Sequence, residues 1–401
     1  MIGDLEHYRG LVEKCSHCAL CEAVCPVYLE DMLETHVARA RVDIIYQTLY
    51  KKSMPVTPRV REIIDRCLLC TSCTQDCGGA VPVHEIIITA RAALYGGRRR
   101  NPLRDYFTRT MMAKRGIKGF PAFMLAAAQK LHVAPEGFPH VSLRTFDSLY
   151  HGSYPPTGKK RAKVAYFTGC ATNTMDVETG VAVMKVLGHN GIEVVIPDKL
   201  MCCGIPALGE GDITTAQKMV RNNVAILAEQ EVDAIIVDCT SCGMMLRSET
   251  AKLLPADDPL LAKAVALSPK VFEVTDYLNT IGLAVEPGPL AESFTYHVPC
   301  HRGWTPTLNE APLQLLASIP GLRYSAMEEP EKCCGAGGAF FMDYSDLSRG
   351  IRKRKLDDIT GTGVAVLISQ CPGCRSDLSA GLGKGWKTAH PVTLLRRAYG
   401  L

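Results

Sequence analysis

The stretch Met201-Cys202-Cys203-Gly204-Ile205-Pro206 places two thiols side by side at a glycine turn. A second copy of this arrangement lies at Cys333-Cys334-Gly335-Ala336-Gly337-Gly338. Each pair is the centre of a set of five cysteines: Cys170, Cys202, Cys203, Cys239 and Cys242 in the first set, and Cys300, Cys333, Cys334, Cys371 and Cys374 in the second. The separation is 130 residues from Cys170 to Cys300, 131 from Cys203 to Cys334, and 132 from Cys239 to Cys371 and from Cys242 to Cys374. Such constant offsets indicate a duplicated unit of about 130 residues.

Length and composition place the chain among folded proteins of more than one domain. Its 401 residues suit two or three domains, and 47% apolar with 21% charged residues is ordinary for a globular protein. The net charge of +4, without a long basic run, gives no reason to expect a nucleic-acid partner. The N-terminus lacks the apolar core of a signal peptide, and we find no apolar run of membrane-spanning length. We therefore expect a cytoplasmic protein whose association with a membrane, if any, goes through a partner subunit.

The cysteine content is the unusual part of the composition. Eighteen cysteines are present in a long chain without a secretion signal. Disulfide frameworks are typical of short secreted domains, whereas clustered cysteines in a long cytoplasmic chain are more often metal ligands or redox thiols. The composition therefore favours metal or redox chemistry.

The first informative run is Cys15-x-x-Cys18-x-x-Cys21-x-x-x-Cys25-Pro26. This is the bacterial ferredoxin spacing, in which three cysteines bind one 4Fe-4S cluster and the fourth binds another. The run recurs as Cys67-x-x-Cys70-x-x-Cys73-x-x-x-Cys77, with Gly78 where the pattern has proline. Crosswise ligation then predicts two cubane clusters. The ligands are Cys15, Cys18, Cys21 and Cys77 for the first cluster, and Cys67, Cys70, Cys73 and Cys25 for the second. Paired zinc sites are the alternative, but two complete four-cysteine runs favour a ferredoxin module.

The rest of the N-terminal part reads as helical. An apolar face predicts helix within residues 31–54, and a second helix is predicted over 84–95, before Gly96-Gly97. Residues 98–160 contain no cysteine, and they begin with a basic stretch and end rich in glycine and proline. We interpret them as a helical connector and linker. A solvated basic helix is the simpler reading of that stretch, and docking to a partner subunit or an anionic membrane is the alternative.

From residue 161 the pattern alternates between strands and helices. Strands are predicted over 163–167, 192–196 and 234–237 in the first unit, and over 294–298, 322–326 and 364–368 in the second. Helices are predicted over about 174–189 and 213–229. Such alternation predicts parallel sheets with helices on their faces, and ligand sites in these sheets lie beyond the carboxyl ends of the strands. Because the cysteines follow those ends, each set of five should converge at one edge.

Five converging thiols restrict the chemistry. Zinc takes at most four protein ligands, and a thioredoxin-like dithiol would leave three thiols unexplained. An iron-sulfur cluster, which has several irons, can use all five. Gly204 and Gly335 permit the turns that aim adjacent thiols at one site, and Gly337 lets the loop pass close to a cofactor. A tight surface turn is the alternative reading of these glycines.

The repeated pattern of Cys, then Cys-Cys-Gly, then Cys-x-x-Cys resembles the cysteine-rich CCG domains of heterodisulfide reductase. The whole chain resembles the D subunit of that enzyme, and it is similar to the iron-sulfur subunits of glycolate oxidase, lactate-utilisation and anaerobic glycerol-3-phosphate dehydrogenase systems. The resemblance implies that each complete set of five cysteines holds a noncubane 4Fe-4S cluster, so that up to two are present. It also implies that the two CCG domains are related by a pseudo-two-fold axis.

Two functions remain open from the sequence. In the first, the chain is an electron-transfer subunit that relays electrons between a flavoprotein, which oxidises a 2-hydroxy acid such as lactate or glycolate, and a quinone, cytochrome or other acceptor. In the second, it is a catalytic heterodisulfide reductase subunit. His301, beside Cys300, is then a candidate proton donor to a leaving thiolate, although a hydrogen-bonding role is the commoner one. No dinucleotide fingerprint is present, so a flavin or nicotinamide must belong to a partner.

The sequence thus predicts an α+β multidomain iron-sulfur oxidoreductase subunit. The predicted domains are a helical two-cluster ferredoxin domain over 1–97, a connector over 98–160, and two α/β CCG domains over 161–285 and 286–401.

Overall fold

The strands of the duplicated region form two sheets in the computed structural model. The first sheet contains β1 (Gly152–Tyr154), β2 (Ala162–Tyr166), β3 (Ile192–Ile196), β4 (Ala234–Val237) and β5 (Val271–Glu273). Its order is β1-β3-β2-β4-β5, with β1 antiparallel to β3 and the other neighbours parallel. The second sheet contains β6 (Ser293–Tyr296), β7 (Arg323–Tyr324), β8 (Val366–Ile368) and β9 (Lys387–Ala389). Its order is β7-β6-β8-β9, all parallel. Since β3-β2-β4-β5 has the same order, the duplicated α/β architecture is confirmed.

The structure describes residues 1–95 and 141–401, with positions 109, 115, 123–125 and 127 between them. The greater part of the predicted connector, including its basic stretch, lies outside the described residues. The predicted linker differs from expectation in one place, because residues 152–154 form strand β1 at the edge of the first sheet. Its exposed side chains carry no apolar pattern, and the strand forms through backbone pairing with β3.

Helices account for the N-terminal part, as predicted. They are α1 (Leu5–Val12), α2 (Pro26–Asp31), a 3₁₀ turn (Glu34–His36), α3 (Ala38–Ile45), a π-helical turn (Tyr46–Tyr50), α4 (Pro58–Asp65), α5 (Ser72–Gln75) and α6 (Val83–Tyr95). Local signals set several of these ends. Pro58 occupies the first turn of α4, and the side chain of Thr57 accepts a hydrogen bond from the backbone N–H of Val60.

The first α/β unit contains helices on both sides of its sheet. They are α7 (Phe146–Leu149), α8 (Cys170–Thr174), α9 (Val177–His189), α10 (Ile205–Gly209), α11 (Ile213–Ala228), α12 (Thr240–Met244), a π-helical turn (Met245–Glu249), α13 (Thr250–Leu253), α14 (Leu261–Leu267), a 3₁₀ turn (Ser268–Lys270) and α15 (Val274–Ile281). The second unit contains α16 (Ala311–Ala317), α17 (Phe340–Asp343), α18 (Ser345–Gly361), α19 (Pro372–Leu382) and α20 (Pro391–Ala398). Because α8, α10, α12 and α19 begin at or just after cysteines, the cysteines lie at helix starts beyond the strand ends.

Shared cores join the three parts of the chain. Val164 and Ile236 of the first sheet pack in one apolar cluster with Phe294 and Ile368 of the second. Another cluster contains Tyr8 and Ile86 of the ferredoxin part together with Leu208 and Val220 of the first unit. The burial of these side chains removes apolar surface from water and holds the parts together. The cysteine sets are therefore kept at defined positions relative to one another.

Candidate functional site

The two ferredoxin-like runs have the same backbone shape. His17 and Ala19 have φ of 55° and 68°, and Leu69 and Thr71 have φ of 55° and 62°. These residues stand two and four positions after Cys15 and Cys67, so the matching extends from spacing to conformation. Non-glycine residues in the left-handed region cost free energy and are retained where the surroundings enforce them, often at functional sites. Both loops are thus wound in the same way.

Two neighbouring cavities bring the cysteines of these runs together crosswise. One cavity is lined by Cys25, Cys67, Cys70 and Cys73. A second cavity is lined by Cys15, Cys18, Cys21 and Cys77, and Cys73 lines it as well. These groups are the two ligand sets that the spacing predicts. We call the group of Cys15 the outer ferredoxin set, because Cys18 is exposed, and the group of Cys67 the inner ferredoxin set.

The chemistry of the inner ferredoxin set fits a soft metal cluster. All four cysteines are free thiols, and burial raises the pKa of Cys70 and of Cys73. Protein positive charge near them comes from the buried Arg41, whose guanidinium donates to the carbonyl oxygens of Ile63 and Arg66 at 2.9 and 3.2 Å. Thiols buried in this way ionise readily only with a metal bound, and thiolate is the ligand form that iron-sulfur clusters use.

The first CCG set is assembled from three loops at one edge of the first sheet. Cys170 follows β2, Cys202 and Cys203 follow β3, and Cys239 and Cys242 follow β4. The Sγ atoms of Cys202 and Cys170 are 3.6 Å apart, and Cys203 and Cys242 form a further thiol contact. All five side chains are buried. The predicted convergence of this set is therefore present in the structure.

The second CCG set repeats this arrangement at the edge of the second sheet. The Sγ atoms of Cys334 and Cys374 are 3.3 Å apart, and Cys300 contacts Cys333. The backbone N–H of Cys374 donates to Sγ of Cys371 at 3.4 Å. Cys300 and Cys371 are partly exposed, whereas the other three are buried. The second set is thus the more accessible of the two.

The two CCG sets meet. The Cys239 thiol of the first set lies close enough to the Cys371 thiol of the second for each to shift the pKa of the other, and each also lies beside the second cysteine of its own Cys-x-x-Cys pair. Successive thiol contacts consequently run through all ten cysteines from one set to the other. Sequence spacing did not predict this junction, since it depends on how the two units pack.

Thiol contacts also split the pKa values within each set. The hydrogen bond with Cys170 holds the pKa of Cys202 well below its usual range, and the hydrogen bond with Cys300 does the same for the pKa of Cys333. The pKa of Cys371 is lowered by its hydrogen bond with Cys239. Each set therefore contains a thiol whose thiolate form is stabilised by a neighbouring thiol, and thiolate is the form that binds metal.

The inner ferredoxin set lies against the second CCG set. Cys70 is close enough to Cys300 and Cys333 for their charges to interact, and Leu68 and Cys70 pack in one cluster with Cys333. Two side chains of the ferredoxin part donate to the carbonyl oxygen of Cys300, Thr71 Oγ1 at 3.1 Å and Gln75 Nε2 at 3.0 Å. These contacts fix the second CCG loop to the ferredoxin loop.

The glycines act in the turns as predicted, with one difference. Gly204 and Gly335 have φ of 102° and 95°, and the Gly335 N–H donates to Sγ of Cys333 at 3.4 Å. Gly337 has φ of 51°, but the group that comes close to it is the side chain of Leu68, which a Cβ would overlap. Sequence reasoning also missed Gly169, where a Cβ would lie 3.0 Å from Sγ of Cys242.

His301 lies where the three parts of the chain meet. Its Nδ1 is 2.8 Å from Ser241 Oγ of the first unit, and its Nε2 is 2.9 Å from the carbonyl oxygen of Leu69 in the ferredoxin part. Because a carbonyl only accepts, Nε2 carries the proton and Nδ1 accepts from the serine hydroxyl. With both nitrogens engaged, this geometry favours a structural, positioning role over the predicted proton donation, which stays a prediction.

His297 is a residue near the second CCG set that sequence reasoning missed. It is 1% exposed, and neither ring nitrogen has a hydrogen-bond partner in the described part of the chain. Burial lowers its pKa to about 3, so the ring is neutral. A ring nitrogen and the Sγ atoms of Cys334 and Cys374 lie within 4.8 Å of one another. The sequence could have pointed to this residue, because the 130-residue offset aligns His297 with Phe167 of the first unit.

Comparison with known proteins agrees with these three parts. A model of the cysteine-rich CCG domain matches residues 164–247 and 294–379, and a 4Fe-4S dicluster domain matches residues 11–80. Lactate utilization protein A of Bacillus velezensis is 30% identical over 55% of this chain and 92% of that protein. The chain belongs to the CCG-domain iron-sulfur proteins.

Other members of the family match to different extents. The probable glycolate oxidase iron-sulfur subunit of Bacillus subtilis is 24% identical over 98% of this chain and 95% of that protein. A fumarate reductase (CoM/CoB) subunit from Methanothermobacter marburgensis is 28% identical over 60% of this chain. The chain spans 47% of that protein, and 42% of an uncharacterized iron-sulfur protein of Methanococcus maripaludis. It therefore spans less than half the length of some curated relatives.

A solved structure supports the fold. A hypothetical protein from Helicobacter pylori aligns over 99% of this chain and 76% of its own length, with a TM-score of 0.57 and 10% identity. At this identity the likeness concerns the fold alone. In the described part of the chain, no helix combines the length and apolar character that crossing a membrane requires.

Proposed function

We propose that this chain relays electrons between a flavoprotein dehydrogenase subunit that oxidises a 2-hydroxy acid, such as lactate or glycolate, and a quinone, cytochrome or other acceptor. Two cubane 4Fe-4S clusters would be held by the ferredoxin sets, and up to two noncubane 4Fe-4S clusters by the CCG sets. When bound, these clusters accept and release single electrons. Two relatives support this choice, one named for glycolate oxidase and one for lactate utilization. The match with this chain covers 95% and 92% of their respective lengths.

The continuity of the sulfur sets is the observation that carries the proposal. The outer ferredoxin set has an exposed cysteine, and the inner set adjoins it through Cys73. The inner set in turn lies against Cys300 and Cys333, and the second CCG set contacts the first through Cys371 and Cys239. The residues of this chain thus place four groups of cysteines in one series, and this arrangement supports a relay.

A second function is supported by a different observation. The two CCG sets are complete and meet at Cys239 and Cys371, and Cys300 and Cys371 are partly exposed. A site of this kind would bind a disulfide substrate between the two sets, as a heterodisulfide reductase does. The relative named for fumarate reductase (CoM/CoB) supports this alternative as far as its shared segment goes.

Anaerobic purification with metal analysis tests the cofactor content. We expect about sixteen irons per chain, four for each of four clusters. A value of about eight irons, without an unusual cluster spectrum, would remove the noncubane assignment, and zinc in place of iron would refute the proposal as a whole.

A second experiment separates the relay from the reductase. The chain is purified from its native host with its associated subunits, and the reduced complex is offered a mixed thiol disulfide. The relay predicts a copurifying flavoprotein that is reoxidised through this chain, and no disulfide reduction. Stoichiometric thiol release by the isolated, reduced chain would instead establish the reductase.

A further inference from the structure

The two ring nitrogens of His297 are buried and have no hydrogen-bond partner in the described part of the chain, which suggests that they bind a ligand. The residue directly follows β6, and its backbone N–H donates to the carbonyl oxygen of Ile368 at 3.0 Å, so the ring cannot easily move away. A neutral imidazole offers one donor and one acceptor, and both of its nitrogens are buried without a partner in the described part of the chain. Leaving such groups unsatisfied costs free energy, and an ion outside the polypeptide is one explanation for a buried polar group without a partner.

The surroundings of the ring indicate what that ligand is. A ring nitrogen lies within 4.8 Å of the Sγ atoms of Cys334 and Cys374, yet forms no hydrogen bond with either. The two sulfurs are themselves 3.3 Å apart. A first-row metal with bonds of about 2.1 Å to nitrogen and about 2.3 Å to sulfur separates such atoms by a distance of this order. Imidazole is also a suitable ligand for iron.

This arrangement is specific to the second CCG set. The 130-residue offset between Cys170 and Cys300 aligns His297 with Phe167, whose side chain has no ligand atom. The other histidine beside the second set, His301, already uses both ring nitrogens in bonds to Ser241 and Leu69. Of these two histidines, His297 is therefore the one whose ring nitrogens have no hydrogen-bond partner in the described part of the chain.

We propose that His297 is a nitrogen ligand to an iron held by Cys334 and Cys374 in the second CCG set. This inference rests on the proposed presence of an iron-sulfur cluster in that set. The two CCG sites then differ in ligand type, with sulfur and nitrogen in the second and sulfur alone in the first.

Pulsed EPR of the anaerobically purified, partly reduced full-length chain tests this ligand. Protein with natural-abundance nitrogen is compared with protein containing ¹⁵N-labelled histidine, and each sample's iron content is measured. We expect a strongly coupled histidine nitrogen, as direct coordination produces. The signal should be lost in His297→Phe, which copies the first unit, and in His297→Cys, which offers a thiolate and should keep the iron.

The control and the refuting outcomes separate this inference from the proposed function. His301→Asn should retain the strongly coupled nitrogen, and His297→Cys, which exchanges a neutral imidazole for a thiolate, should shift the potential of one cluster to a more negative value. Full iron content with only weakly coupled nitrogen, or a strong signal that persists in His297→Phe, overturns the ligand assignment while leaving the cluster in place. Absence of iron from the second set in the wild-type chain overturns the cluster assignment and the inference together.

Discussion

Replacing Glu273 with glutamine should destabilise the packing of the two CCG units. Glu273 ends β5 of the first unit, and its side chain and that of His390 are fully buried. The carboxylate accepts hydrogen bonds from the Thr275 N–H at 2.8 Å and from Gln370 Nε2 at 2.9 Å, and its Oε1 lies 3.1 Å from His390 Nε2. A glutamine side chain has the same size as glutamate but no negative charge. Its NH₂ group would face hydrogen-bond donors such as the Thr275 N–H and Gln370 Nε2, to which it cannot bond as an acceptor.

The expected loss is large because the whole group is buried. Altering a buried carboxylate so that donors such as the Thr275 N–H and Gln370 Nε2 lose their charged acceptor costs about 3 kcal/mol. For a unit of about 240 residues, roughly 2–4 °C per kcal/mol gives a fall in Tm on the order of 10 °C. Circular dichroism of the anaerobic protein at one fixed scan rate measures this fall, because heating such a chain is governed by its unfolding rate.

A matched control is Glu292→Gln, which breaks the partly exposed ion pair between Glu292 and Arg397 at 2.8 Å. Its cost should be below about 1 kcal/mol. If Glu273→Gln lowers Tm no more than this control does, the buried carboxylate does not hold the units together.

The pH dependence of the same variant has a definite sign. Burial opposes ionisation of Glu273, but the interactions with His390, Thr275 and Gln370 outweigh it and lower the pKa of the carboxyl below 4.5. Its contribution to stability is therefore present above pH 4.5 and is lost as the pH falls through the folded-state value. The difference in Tm between wild type and Glu273→Gln should narrow in that acid range, and a difference that widens there would contradict the argument.

Further predictions concern single contacts. Cys18→Ser removes one sulfur of the outer ferredoxin set and should cost about four of about sixteen irons; metal analysis showing a loss of eight or more would mean that the sets do not load independently. Gly243→Ala places a methyl group against the ring of Trp304, and this overpacking should cost about 1–3 kcal/mol and alter the tryptophan fluorescence; an unchanged spectrum and Tm would contradict the contact. Tyr8→Phe deletes a 2.6 Å hydrogen bond to Glu85 and should cost about 1 kcal/mol; it fails if Tm does not change.

Cysteine spacing predicted much of the site because the spacing reflects local geometry. The ferredoxin loops each wind around their own three cysteines, as the matching φ values of His17 and Leu69 show. The strand ends likewise deliver Cys170 and Cys300 to equivalent edges. Wherever a feature depends on residues near one another in the chain and on the general rule for parallel sheets, the sequence was sufficient.

Other features depend on packing between units, which no local pattern encodes. The contact of Cys239 with Cys371, and the position of Cys70 beside Cys333, arise only when the sheets and the ferredoxin part pack together. Strand β1 is a three-residue edge strand with no apolar pattern, so its backbone pairing could not be predicted. The bonds of His301 to two other parts of the chain were invisible for the same reason.

Packing of the ferredoxin part makes the two duplicated units unequal. A duplication alone would produce two equivalent sites, but Leu68 fits against Gly337 in the second unit, and Thr71 and Gln75 both bind the carbonyl of Cys300. The second CCG set therefore lies between the inner ferredoxin set and the first CCG set in the series of contacts. In a relay, loss of the second set should isolate the first set from the ferredoxin part, whereas loss of the first set should leave reduction of the second intact. That asymmetry follows from where the N-terminal part docks, and the repeat itself could not have produced it.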